Sequence, residues 1–160
     1  MIDTHCHLDD KKITDIKNAI SDLELVITSS SSVFDLPVIK TIAADNKSVY
    51  FTAGIHPHNA TAELDKIEQL NDYITDKKCV AIGEIGLDFF YNFSEQDKQI
   101  KIFEKQIRIA ADYQLPMIVH TRNAEKTVFE ILENIDNLNI LLHCFTGDIN
   151  ILSKFLRKPN

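Results

Sequence analysis

Six short runs of aliphatic and β-branched residues alternate with helix-like patterns along the whole chain. No other feature constrains the fold as much. The runs are MIDTHCHL at 1–8, LELVITSS at 23–30, VYFTAGI at 49–55, VAIGEIGL at 80–87, PMIVHT at 116–121 and NILLHCF at 139–145. Most are nearly continuous in apolar character, as strands buried on both faces are. Between them, Ile13, Ile16, Ile20 and Leu23 recur at helical spacing. So do Leu64, Ile67, Leu70 and Ile74, then Ile100, Phe103, Ile107 and Ala110, then Val128, Ile131, Leu132 and Ile135. Ser94 followed by Asp97 resembles a capping box opening the longest helix. Residues 148–157 begin a sixth helix. Strict alternation predicts parallel strands with helices outside them. An open doubly wound sheet and a (β/α)₈ barrel both satisfy the pattern. No G-x-G-x-x-G follows the first run, which removes support for the dinucleotide-binding open sheet.

The composition narrows the function classes. With 160 residues, 44% apolar and 26% charged, the chain has the make-up of one soluble globular domain. No stretch approaches the roughly 20 apolar residues that span a bilayer. The N-terminus lacks the pattern of a signal peptide, so a cytoplasmic location is expected. Seventeen basic against 24 acidic residues give a net charge of −7, which argues against a broad basic surface for nucleic acid. Local contact with phosphate through metal ions is still open to it. Cys6, Cys79 and Cys144 are odd in number and widely spaced, so free packing thiols are expected rather than a disulfide or zinc framework.

The six histidines share one kind of address. His5 and His7 close the first run, and His56 and His58 follow the third in GIHPHNA. His120 ends the fifth and His143 the sixth, while Glu84 and Asp88 close the fourth in GEIGLDFFY. In a barrel these C-terminal strand ends converge on one mouth, where active sites lie. Strand alternation turns Cys6 and Cys144 away from it, toward the helices. Imidazoles with a carboxylate suit zinc and tolerate manganese or magnesium. Five groups, His5, His7, Glu84, His120 and His143, are too many for one tetrahedral ion with an open position. They suit two divalent ions, with Glu84 as the bridge.

The set MIDTHCHL, GIHPHNA, GEIGLDFFY, PMIVHTR and LLHCFTGD, running in order from residue 1 to about 157, resembles the TatD family of metal-dependent hydrolases and deoxyribonucleases. The resemblance implies a TIM barrel with a one- or two-metal site. It implies hydrolysis of phosphodiester bonds in DNA through a metal-activated water. By the family pattern His5, His7 and Glu84 hold one ion, and Glu84, His120 and His143 the other. His56 and Glu84 are then the catalytic candidates, His56 lying near the attacking water. Arg122 and His58 are candidate substrate contacts, and Asp88 is expected to be supporting or structural. The family's aspartate in a later E-T-D-type motif has no counterpart before Asn160. Asp3, which shares strand parity with His5, is a weak substitute. About six of eight βα units are therefore expected, as a single portion of such a domain over 1–160. Its exposed edges predict marginal stability, self-association or pairing with a complementing fragment. Two other readings stand beside this one. The first is a related metallohydrolase acting on acyl-ester or amide bonds, against which GEIGLD offers no lysine as bridge. The second is a non-enzymatic or partner-dependent fragment.

Overall fold

All six apolar runs form strands in the computed structural model, which describes residues 1–91 and 93–157. The last three residues of the expected 1–160 unit lie outside the described residues. The strands are β1 (Ile2–Cys6), β2 (Leu25–Ser29), β3 (Val49–Ala53), β4 (Cys79–Asp88), β5 (Met117–Arg122) and β6 (Ile140–His143). Each pairs in parallel with the next, in the order β1-β2-β3-β4-β5-β6. The sheet curls into an incomplete barrel, with six of the eight strands that close a TIM barrel. The end rings of its two outermost strands, His5 and His143, lie 3.6 Å apart.

Burial follows position in the sheet. Nine of the ten residues of β4 are buried, whereas β1 and β6 hold none that are. Ile2 is 57% and Leu141 42% exposed. The core lies against the middle strands, with Phe51, Ile82, Ile85, Leu87 and Met117 fully buried. Each such side chain contributes about 1.5–3 kcal/mol through burial.

The helices are α1 (Ile16–Ala19), α2 (Leu36–Asp45), α3 (Ala60–Glu63), α4 (Asn71–Ile74), α5 (Gln96–Tyr113), α6 (Glu125–Leu132) and α7 (Ile149–Leu156). The periodicity over 13–23 yields only the single turn of α1. Asp10 accepts the Lys12 N–H with its side chain, offering the chain a turn in place of a helix, and Asp15 caps the N-terminus of α1 by accepting the Asn18 N–H. The pattern over 64–74 is broken as well. Ile67–Leu70 is a 3₁₀ turn leading into α4, since three-residue spacing suits that form equally. The capping box does not form. Glu95 occupies the cap of α5 without a side-chain bond. Ser94 instead donates to the His58 carbonyl (2.8 Å) and accepts the Thr61 N–H (3.1 Å), tying the β3–α3 connection to α5.

Two buried glutamines of α5 hold the mouth in shape. Gln106 bonds the backbone N–H and carbonyl of Ile55 (2.7 and 3.1 Å). Gln99 does the same for Asp88 (2.8 and 2.9 Å). At the other side of β4, Gly86 sits at φ +132°, where a Cβ would overlap the His120 carbonyl oxygen. Only glycine allows β4 and β5 to approach this closely.

Candidate metal centre

Two strand irregularities aim the side chains at the centre. Between Asp3 and Cys6, β1 advances three residues while β2 advances two, from Val26 to Thr28. Between Ile82 and Ile85, β4 advances three while β5 advances two, from Met117 to Val119. Such bulges re-aim a side chain next to active sites, and here they contain His5 and Glu84. The first also breaks simple alternation. Asp3 turns back on its own strand and accepts the His5 N–H at 3.1 Å.

Glu84 is the hub. It is 4% exposed, and its backbone N–H donates to the Ser30 carbonyl at 3.0 Å. Its Oε2 lies 3.3 Å from His5 Nε2 and 3.9 Å from His7 Nε2, and its Oε1 lies 3.2 Å from His120 Nδ1. Burial acts to raise its pKa. The His120 hydrogen bond and the imidazoles of His5 and His56 outweigh that, holding the carboxyl well below the usual carboxylate range.

The other nitrogen of each ring decides what that ring can do, because a neutral imidazole carries its proton on one nitrogen only. His7 Nδ1 donates to the Ser29 carbonyl (2.9 Å), which leaves its Nε2 lone pair facing Glu84. His5 Nδ1 pairs with the Ser29 hydroxyl (3.2 Å), and its buried Nε2 has no hydrogen-bond partner among the described residues. His120 Nε2 donates to Asp88 Oδ2 (3.1 Å), and its Nδ1 faces Glu84. His56 is the reverse case. Its Nδ1 accepts the His58 backbone N–H (3.2 Å), so its proton sits on Nε2. Burial pushes the pKa of His56 down to about 3. His120 goes the other way: burial lowers it, but Glu84 and Asp88 together raise it above the ordinary value.

The orphaned His5 nitrogen, the ring nitrogens gathered around one buried carboxylate and the absence of a thiolate fit a divalent ion. Two groups have ligand atoms within 4.8 Å of one another: His5, Glu84 and His143, and His56, Glu84 and His120. This grouping differs from the one the family resemblance implies. His143 stands with His5, on which its ring stacks, rather than with His120. His7 lies just outside both groups, and the His56 tautomer makes that ring a hydrogen-bond donor rather than a ligand.

The remaining candidates lie around this cluster. His58 Nε2 donates to Asp88 Oδ2 (2.9 Å) and does not face Glu84. Asp88 therefore does more than the sequence suggests. Fully buried, it holds His58 and His120 with one oxygen and accepts the N–H groups of Phe90 and Tyr91 with the other. Arg122 lies with its guanidinium over Phe90 and Tyr91, 4.3 and 4.7 Å from their ring centres. Cys6 packs as expected, donating to the Ile27 carbonyl, with burial pushing its thiol up to about 12. Buried Cys79 is likewise pushed up to about 12 by burial. Cys144 departs from the expectation. It is exposed, at φ +43° just past the end of β6, where strand alternation no longer applies. Ser29 was not identified from the sequence. Its only signal is its place at the end of an apolar run, one strand from His5 and His7.

Comparison with known proteins identifies relatives of this chain. The family model of TatD-related DNases matches residues 2–159. A Buchnera aphidicola protein named an uncharacterized metal-dependent hydrolase is 33% identical over 98% of this chain and 66% of its own length. The Escherichia coli 3′-5′ ssDNA/RNA exonuclease TatD is 39% identical over 66% of this chain and 42% of its own length. The crystal structure of YjjV, a TatD homologue of Escherichia coli, superposes with a TM-score of 0.84 at 26% identity, covering 98% of this chain and 64% of that one. The chain thus spans less than two thirds of the length of the relatives it matches. Its sequence, its curled parallel sheet and its histidine-ringed carboxylate together place the chain in the family of TatD-related DNases.

Proposed function

We propose that this chain carries the reacting groups of a divalent-metal-dependent hydrolase that cleaves phosphodiester bonds in DNA. The carrying observation is the convergence of ring nitrogens: His5, His7 and His120 each tie one nitrogen elsewhere and turn the other to Glu84. His5, His7, Glu84, His120 and His143 would hold the metal, with Glu84 offering one oxygen to each side. Zinc, manganese or magnesium bound there would polarise a phosphoryl oxygen and lower the pKa of a water. Serine and aspartate partners fix the ring orientations, which is what ligand-orienting partners do in metal sites. His56, neutral at physiological pH with its proton on Nε2, is the candidate donor to a phosphoryl oxygen. Arg122 and His58 are substrate contacts on the same rim. The relative named as a single-stranded DNA and RNA exonuclease supports a single-stranded substrate. The exposed Ile2 and Leu141 on the edge strands support association with a second copy or a complementing segment. No helix is long and apolar enough to cross a membrane among the described residues, and a cytoplasmic site of action is part of this reading.

The test is hydrolysis of a short single-stranded DNA with added zinc, manganese or magnesium, run beside Glu84→Gln and beside acyl-ester and amide substrates. Expected are metal-stimulated DNA cleavage and a loss of more than about 100-fold in the variant, since a direct ligand outweighs its supporting partners. Calorimetric zinc binding is expected to weaken in parallel. Equal activity in both proteins overturns the assignment of Glu84, and faster cleavage of acyl or amide bonds overturns the substrate class.

A further inference from the structure

Beside the cluster, the β4–α5 connection holds three large aromatic side chains in water. Phe90 is 51%, Tyr91 37% and Phe93 66% exposed. Leaving each in water forgoes roughly 1.5–3 kcal/mol of burial. Asp88 Oδ1 accepts the N–H groups of Phe90 and Tyr91 at 3.0 and 2.9 Å, fixing the turn that presents them. The carboxylate that orients His120 therefore also sets the aromatic shelf. Tyr91 and Phe93 stack at 5.4 Å, Phe90 meets Tyr91 edge-on at 4.8 Å, and the Arg122 guanidinium lies over Phe90 and Tyr91.

A cleft of about 400 Å³ opens at the Phe90 and Arg122 end of this shelf, walled also by His120, Asn123, Cys144 and Thr146. That volume falls within the usual range for small-ligand sites. His120 belongs both to this cleft and to the Glu84 cluster, so an occupant of the cleft lies next to the reacting groups. The walls offer a ring face and a planar cation. Unpaired nucleobases stack on both kinds of surface, whereas a base inside a duplex has no free face to offer. The chain's net charge of −7 offers no broad basic surface to hold a strand, which favours local contacts of this kind.

We propose that Phe90 and Arg122, supported by the ring contacts of Tyr91 and Phe93, form a base-stacking subsite that seats one unpaired nucleobase beside the hydrolytic centre. The proposal rests on the phosphodiesterase reading above. It makes Arg122 a stacking partner for a base as well as a phosphate contact.

The test uses a cleavage-resistant phosphorothioate hexamer carrying one 2-aminopurine, and an abasic hexamer of equal charge, at saturating manganese. Wild type is expected to bind the base-bearing hexamer at least tenfold more tightly and to quench its fluorescence. Phe90→Ala and Arg122→Ala are each expected to weaken binding roughly tenfold and to abolish the preference, with Phe90→Leu behaving alike and Phe90→Trp retaining it. Equal binding of the two hexamers, or unchanged binding by Phe90→Ala, overturns the subsite while leaving the hydrolytic reading intact. Failure of wild type to bind either hexamer overturns both.

Discussion

The histidine cluster has two sides built to different standards. The inner side, His56 and His120, stands on β3 and β5 around buried β4. Asp88 and Gln99 hold it through side chains that are themselves fully buried. The outer side, His5, His7 and His143, stands on the two strands with an open edge. Behind its rings stand Ser29 and the His5–His143 stack. Glu84 belongs to both. Preorganisation of a metal site depends on the partners behind its ligands, so the inner side is expected to keep its shape without an ion and the outer side to be sharpened by one.

The sharpest way to break this comparison is at Gly86. Alanine there is expected to cost several kcal/mol, because φ +132° disfavours any Cβ and the His120 carbonyl occupies its place. Chemical denaturation measures it. A loss below about 1 kcal/mol would mean that the inner side is looser than its burial implies. Next in size is Asp88→Asn, which keeps the volume and removes the charge that holds His120. Zinc affinity is expected to fall roughly 10- to 100-fold at one class of site and to hold at the other. Uniform weakening in a calorimetric titration would show that the two sides act as one.

The inner side was also the easier one to read in the sequence. GEIGLDFFY, PMIVHTR and GIHPHNA name its residues, and continuous apolar runs give its buried strands. The alternation of runs and helical patterns gave the parallel sense, and the sequential strand order of a barrel came with the family resemblance. What periodicity cannot carry is a bulge. The extra residues at His5 and Glu84 shift the parity that placed Asp3 beside His5, and sequence spacing has no mark for them. Local polar competition was equally hidden. Asp10 forms a turn where the periodicity implies helix, Asp15 caps the first helix only at Ile16, and Ser94 bonds a distant loop instead of capping α5. The grouping of His143 with His5 depends on how far the sheet curls, a property of packing rather than of any motif.

Ser29→Ala tests the outer side directly. It removes the hydroxyl beside His5 Nδ1 and leaves the carbonyl that His7 uses. About a threefold to tenfold loss of zinc affinity is expected, at the low end of what orienting partners contribute, with denaturation unchanged within about 1 kcal/mol. A loss as large as that of Asp88→Asn would place the two sides on an equal footing.

The smallest effect is expected at the edge itself. Leu141→Ser alters a 42%-exposed side chain of β6, and exposed substitutions away from special features stay within about 0.5 kcal/mol. Its partner measurement is Ile82→Ala in fully buried β4, where about 2–5 kcal/mol is the usual cost of such a cavity. If Leu141→Ser is instead costly, and its cost grows with protein concentration, the edge is covered in solution by another copy. Mass action then makes the stability of that strand depend on association. Sedimentation of the two variants across a concentration series separates these outcomes, because a lone sheet edge responds to serine in the same way at every dilution.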